Sequence, residues 1–370
     1  MMQARLWLTL AGVGLALNGP PACGDEKKAP PLPRTVGAGG YVLGRSSESR
    51  ARAARLLPLK GSEDARYLLV RPTLPRPPAA SARKTHDIVP DADIDWVIDV
   101  FLPNGAPLTT EQIDAAFSRE RLRQMGADQL YGFSVEEQRW DFVHIRKIPT
   151  RWTRLAVAKE LLATYRDNPQ PESEASLLQF FESVRAGAAR LHVTEMRART
   201  KPAMAADRAR SYFECWKAAG REAVVALQST RGSTFEGRKI WDVMYSLGLE
   251  WGDGDLFNWL DSPEGGDSLF SVSTTTQPGY FFPEQIAAGT VRTNDLVFSF
   301  SIPRDLAPDA TLTEMLKAAR YAQKRLGGVL LNAEGRPFDE QAERAAIAGV
   351  VARLRQAGLQ PGTGTALRIF

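Results

Sequence analysis

Three histidines, two cysteines and a scatter of carboxylates are the residues with which this 370-residue chain could do chemistry. Cys23 and Cys215 are too few for a disulfide framework or a four-ligand metal site, and His86, His144 and His192 lie far apart in the chain. Cys215, within Ser211-Tyr-Phe-Glu-Cys-Trp-Lys-Ala, reads as a small buried hydrophobe on a helix rather than a reactive thiol. His144 and His192 each stand among apolar residues with no recognisable nucleophile or carboxylate partner, and both read as ordinary strand histidines. Gly252-Asp-Gly-Asp255 lacks a third glycine, and Gly362-Thr-Gly364 sits in a terminal tail with no helix expected after it. Both read as turns rather than phosphate cradles. Asp253, Asp255 and Asp261 lack the bidentate glutamate that a calcium loop requires. The expectation is therefore a protein with no catalytic residues, no cofactor and no metal.

Composition excludes collagen, coiled coil and polytopic membrane protein. The chain is 44% hydrophobic and 24% charged, the balance of a soluble globular protein of two or three domains. Lys+Arg exceed Asp+Glu by 47 to 43, an excess spread too evenly to imply nucleic acid. At the start, Met1-Met-Gln-Ala-Arg5 precedes an apolar run from Leu6 to Leu17 and then Asn18-Gly-Pro-Pro-Ala22-Cys23. A run of about a dozen apolar residues fits an export signal and falls short of the roughly 20 a spanning helix needs. Ala22-Cys23 resembles the end of a bacterial lipobox, which makes Cys23 the expected lipidation site; a simple cleaved signal and an uncleaved anchor are the alternatives. From 24 to about 90, Pro, Arg, Ala, Gly and Ser dominate, and such a stretch predicts a disordered tether. Within it, Ala51 to Pro58 reads as a solvated turn, with a short basic helix touching anionic lipid as the other choice.

Stepping past the tether, the sequence turns globular and repeats itself. Phe181 to Gly220 and Leu316 to Gly358 share a helix–strand–helix pattern. Upstream of these, Trp96-Val-Ile-Asp-Val-Phe-Leu and Glu222-Ala-Val-Val-Ala-Leu-Gln read as strands, with Trp96, Ile98 and Val100 facing helices as Val225 and Leu227 do, followed by helical patterns at 110–125 and 236–247. The economical account is two copies of one α+β unit, at 93–220 and 222–358, with a tail at 359–370. In the second copy Leu256–Leu260, Leu269–Thr275 and Leu296–Ile302 alternate apolar and polar residues, which predicts sheets with helices on one side only. Leu296, Phe298, Phe300 and Ile302 should point inward and Val297, Ser299 and Ser301 outward, Pro303 should end that strand, and Thr313 to Leu326 should form a helix stopped by Gly327-Gly328.

The segments Gly248-Leu-Glu-Trp-Gly-Asp253, Leu269-Phe-Ser-Val-Ser, Gln277-Pro-Gly-Tyr-Phe281 and Leu326-Gly-Gly-Val-Leu-Leu-Asn carry a family likeness. Residues 222–358 resemble the C-terminal FtsZ-binding domain of ZipA, a bacterial cell-division family. The resemblance implies a split βαβ-type antiparallel sheet with helices on one face, and on the other a shallow groove for the C-terminal tail of FtsZ. It carries the partner-binding face onto Gly254, Leu256, Ser273, Thr275, Gln277 and Ser299. Most of these are small or polar, so weak affinity is expected. The implied function is a membrane-tethered, non-enzymatic protein-binding module in cell division and septum assembly. The alternative is an exported envelope lipoprotein whose domains bind another partner. A lipidated or cleaved signal puts the domains on the periplasmic side of the inner membrane; an uncleaved anchor followed by Lys27, Lys28 and Arg34 leaves them in the cytoplasm.

Overall fold

The structure is a computed structural model that describes residues 47–60, 64–74, 88–103, 106–127, 129–145, 150–164, 168–262 and 267–370. The apolar run, Cys23 and His86 lie outside the described residues, and helix α1 (Ser47–Leu56) is the first described element. The chain divides into two compact units. One comprises 74–221, 302–306 and 348–370; the other comprises 222–301, 307–347 and the segment before 74.

The first unit is built on β1 (Asp95–Phe101), β2 (Leu108–Thr109), α2 (Thr110–Phe117), α3 (Arg119–Met125), β3 (Gln129–Ser134), β4 (Trp140–Phe142), β5 (Arg151–Glu160), α4 (Glu174–Ala189), β6 (Met196–Ala198) and α5 (Pro202–Ala219). Its antiparallel sheet runs β4-β3-β5-β1-β6, with β2 also on β5. The single helix expected over 110–125 is split at Ser118. That residue is extended (φ −61°, ψ 157°), and its Oγ accepts from the Arg121 N–H at 3.3 Å, capping α3. Trp96, Ile98 and Val100 face the helices, as the alternation predicted, and pack with Leu177, Phe180 and Val184 of α4 and Ala205, Ala206 and Ala209 of α5. The indole N–H of Trp96 donates to the Thr200 carbonyl at 2.8 Å, so the ring is buried without orphaning its donor.

The second unit contains β7 (Glu222–Gln228), β8 (Phe235–Glu236), α6 (Gly237–Ser246), β9 (Glu250–Trp251), β10 (Phe257–Leu260), β11 (Ser268–Ser273), α7 (Pro283–Ala287), β12 (Arg292–Thr293), β13 (Asp295–Ser301), α8 (Pro308–Leu326), β14 (Val329–Leu331) and the start of α9 (Glu340–Gln356). The sheet order is β14-β7-β13-β11-β10-β9, with β8 and β12 forming a separate ribbon. Leu296, Phe298 and Phe300 are buried, as their alternation requires. Pro303 falls in a single 3-10 turn just after β13, and α8 begins at Pro308, earlier than its apolar pattern suggested. Gly328 (φ +97°) fits because a Cβ there would meet the Gln228 carbonyl oxygen at 2.4 Å.

Two expectations need correction. The strands β6-β1-β5 match β14-β7-β13, and each trio belongs to a strand-then-helix–strand–helix pattern. Beyond them the orders differ: β3 lies between β5 and β4, whereas β13-β11-β10-β9 is a meander. A sheet of identical strand order is thus not observed: β5 pairs with the first strand of the β3–β4 hairpin, whereas β13 pairs with the last strand of the β9-β10-β11 run. The span expected to be a tether, 24–90, also contains packed chain. Ala53, Leu57, Ala65 and Leu69 are buried. Leu57 O accepts from the Trp241 indole at 2.9 Å, the Ala65 N–H donates to Ser246 O at 2.9 Å, and the Val70 N–H donates to a Glu314 carboxylate at 2.8 Å. Composition averaged over the Pro- and Arg-rich stretch hid two i,i+4 apolar pairs, 53/57 and 65/69.

The tail is folded as well. Helix α10 (Gly364–Ile369) follows Gly362-Thr-Gly364 directly, where no helix was expected. Within the first unit, Arg368 bonds both carboxylate oxygens of Asp95, at 2.8 and 3.1 Å, and Glu160 at 3.0 Å. Burial pushes the Asp95 carboxyl pKa up, against the pull of that guanidinium. Arg368→Met leaves the buried Asp95 charge unpaired and is expected to lower stability by about 3 kcal/mol in urea denaturation. Adding Asp95→Asn should recover much of the loss; an Arg368→Met chain as stable as the parent contradicts the assignment.

Candidate functional site

Strand registry builds the open face of the second sheet. Phe257, Val272, Phe298 and Val225 form one cross-strand row on the helix side. The adjacent rows, Asn258–Ser271–Ser299–Val224 and Ser273–Val297–Ala226–Leu331, therefore point the other way. Ser273 and Ser299 thus stand on the face to which the resemblance assigned them.

The other expected residues gather at one end of it. Leu256 leads into β10 from a 3-10 turn (Asp253–Asp255) in which Gly254 is left-handed (φ +65°, ψ 15°), a conformation that suits glycine. Thr275 and Gln277 lie in the loop after β11, both exposed, with Gln277 preceding a cis proline. The two loops are tied together, since the Phe281 N–H donates to Asp255 O at 2.9 Å and the Trp251 indole donates to Phe281 O at 2.7 Å. Asp295, at the start of β13, accepts from Thr274 Oγ1 at 2.7 Å and from the Thr275 N–H at 2.8 Å, and its other oxygen accepts from Thr275 Oγ1. Thr275 therefore holds the rim in shape, and its hydroxyl faces Asp295 rather than a partner.

Val297, which alternation placed outward, is joined on the floor by residues that the sequence reading missed: Glu222, Val224, Ala226, Asn258 and Ser271. For Glu222, Val224 and Ala226, alternation with Val225 and Leu227 was the available signal. Burial pushes the Glu222 carboxyl pKa up, opposed by a hydrogen bond with Ser299. The face thus carries a stripe of small apolar residues, Val224, Ala226 and Val297, flanked by serines and one reluctant carboxylate.

The remaining candidates resolve as structural. His144 lies in a turn, not a strand; its Nε2 is 2.7 Å from Phe117 O and its Nδ1 is 3.5 Å from an Asp114 carboxylate oxygen, a partner 30 positions away that sequence proximity could not show. His192 also sits in a turn, at φ +57°, after α4. Cys215 is buried on α5, and burial pushes its thiol pKa up. Burial likewise raises the Asp253 and Asp261 carboxyl pKa values. Among the described residues no group of His, Cys, Asp and Glu could hold a metal ion, and no helix is long and apolar enough to cross a membrane.

Comparison with known proteins bears on this face. The protein named cell division protein ZipA from Actinobacillus succinogenes is 30% identical over 117 residues, covering 31% of this chain and 34% of the relative. Its Haemophilus influenzae counterpart is 32% identical over 117 residues, covering 31% and 35%. The one from Marinobacter nauticus is 29% identical over 108 residues, covering 29% and 31%. The match thus spans about a third of the length of these curated relatives. The likeness is concentrated in the second unit, whose sheet is mixed with helices in an α+β arrangement: residues 223–348 match the family model for ZipA, C-terminal FtsZ-binding domain.

Proposed function

We propose that the second unit is a non-enzymatic docking module in cell division, and that its open sheet face receives the C-terminal tail of FtsZ. The supporting observation is that a one-sided sheet, with a pre-shaped rim at Gly254, Leu256, Thr275 and Gln277, lies inside the matched residues 223–348. In this reading the apolar run at Leu6–Leu17 holds the chain at a membrane. A second reading rests on Ala22-Cys23: a chain lipidated at Cys23 is an envelope lipoprotein on the periplasmic side with a different partner. Fatty-acid labelling of the parent and of Cys23→Ser separates the two, and a C-terminal reporter active only in the periplasm removes FtsZ as partner.

A helix resting on serines and small residues gains little apolar burial at roughly 25 cal/mol per Å². The full chain is the sample for measurement, because the Trp241 indole donates its hydrogen bond to the carbonyl of Leu57, outside the matched residues. Titration with an FtsZ C-terminal peptide is expected to give a dissociation constant no better than roughly 100 μM, about −5.5 kcal/mol. Low-micromolar binding abolished by Leu256→Asp shows instead that the groove is fully formed.

The buried carboxyl adds a pH dependence. An apolar tail laid beside Ser299 removes more water from Glu222, which favours its protonated form still further. Binding then takes up protons and should tighten as pH falls through the Glu222 pKa, with Glu222→Gln flattening that part of the profile. A parent and a Glu222→Gln chain with parallel pH profiles contradict Glu222's place at the site.

A further inference from the structure

Chain before residue 74 that packs on the second unit presents an unusual outer surface. Among the described residues ten large apolar side chains are exposed, and four of them fall between 56 and 70: Leu56 (43%), Leu59 (40%), Tyr67 (79%) and Val70 (62%). The same strap is basic. Between 47 and 73 the sequence holds Arg50, Arg52, Arg55, Lys60, Arg66 and Arg71 against Glu48, Glu63 and Asp64. Arg50, Arg52 and Arg66 are paired with Glu250, Glu284 and Asp64, and Arg71 bonds Leu260 O and lies over the Trp259 ring, whereas Arg55 and Lys60 are exposed, with no side-chain carboxylate partner among the described residues.

We propose that the described parts of this strap, residues 47–60 and 64–73, form a lipid-contacting surface that rests on an anionic bilayer. Apolar side chains that reach the acyl boundary, combined with cations that meet acidic headgroups, are the chemistry of an interfacial segment. Its buried side, Ala53, Leu57, Ala65 and Leu69, is already used by the unit, which explains why the remaining apolar groups project outward. Only 29 positions separate Leu17 from residue 47, so the strap lies within about 100 Å of any membrane that the apolar run enters, the reach of a fully extended chain of that length. The inference does not depend on FtsZ as partner.

Hydrogen exchange at residues 56–71 of the full chain, mixed with phosphatidylcholine vesicles or with vesicles that also contain phosphatidylglycerol, tests it. Flotation in the same samples reports attachment separately. A chain held by its N-terminus floats with both kinds of vesicle, and a chain without that attachment floats only with the anionic ones. In either case exchange should slow only on anionic vesicles. Arg55→Glu with Lys60→Glu should reduce the binding that produces this protection by about tenfold or more, since each cation near an anionic surface adds about fivefold. Tyr67→Ser with Leu59→Ser should weaken it without altering the unliganded exchange pattern of α6. Unchanged exchange, equal slowing on neutral vesicles, or the same protection from inorganic phosphate alone overturns the proposal. Protection appearing only with an acidic peptide also overturns it, and assigns the strap to a protein.

Discussion

The second unit hangs on one buried indole. Trp241 is fully enclosed, stacks on Tyr245 with centroids 4.6 Å apart and meets Phe257 edge-on at 5.5 Å, while Phe257 in turn touches Phe281 at 5.0 Å. Helix α6, strand β10 and the loop before α7 are therefore fixed against a single aromatic cluster. An indole N–H buried there must find an acceptor, or leaving it unpaired costs on the order of 1–3 kcal/mol. The acceptor comes from Leu57, 184 positions earlier. The strap is thus part of this unit's hydrogen-bond economy, although it lies outside the residues that carry the family likeness.

A second constraint is shared by both units. A sheet covered by helices on one side must place apolar residues at every other position, and the strand's other residues are left to face something else. The two sheets treat that other face differently. On the first, Val97, Tyr131, Ala156 and Ala158 cluster with Ile88, Trp140 and Phe142, and Arg154 lies 4.5 Å from the Phe133 ring centroid. On the second, serines, Asn258 and small apolar residues hold the equivalent surface. The units share a three-stranded core and differ in the chemistry of their open faces, so one fold pattern here supports two unlike surfaces.

Periodicity carried most of what could be read from the sequence. The alternation in Leu296-Val-Phe-Ser-Phe-Ser and in Trp96-Val-Ile-Asp-Val gave both the strands and their inward faces, because burial on one side imposes period two. Long-range pairings were not legible. Nothing local to His144 announces Asp114, nothing local to Arg368 announces Asp95 and Glu160, and the helix break at Ser118 depends on a cap competing with a continuous amphipathic pattern. The packed strap was missed for a related reason: its anchors are few and widely spaced, and the burial that holds them depends on Trp241 and α6, far along the chain. For the site, the resemblance supplied the rim, whereas the floor followed from registry that only paired strands reveal.

The distribution of order around the open face bears on what it can select. Asp295 fixes the Thr274–Thr275 loop, Asp255 and Trp251 fix the Phe281 loop, and the strands fix the floor, so a ligand meets a shape that is already set. Preorganisation of this kind lowers the ordering cost on the protein's side and leaves that cost with the ligand. Weak apolar burial then means that a long, freely fluctuating ligand loses more on ordering than the serines return. Only a segment already inclined to its bound conformation, placing small apolar groups along Val224, Ala226 and Val297, recovers enough to stay. Selectivity on such a face comes from the shape of the rim and the preorganisation of the partner, and tethering to a common surface raises the local concentration that modest contacts need.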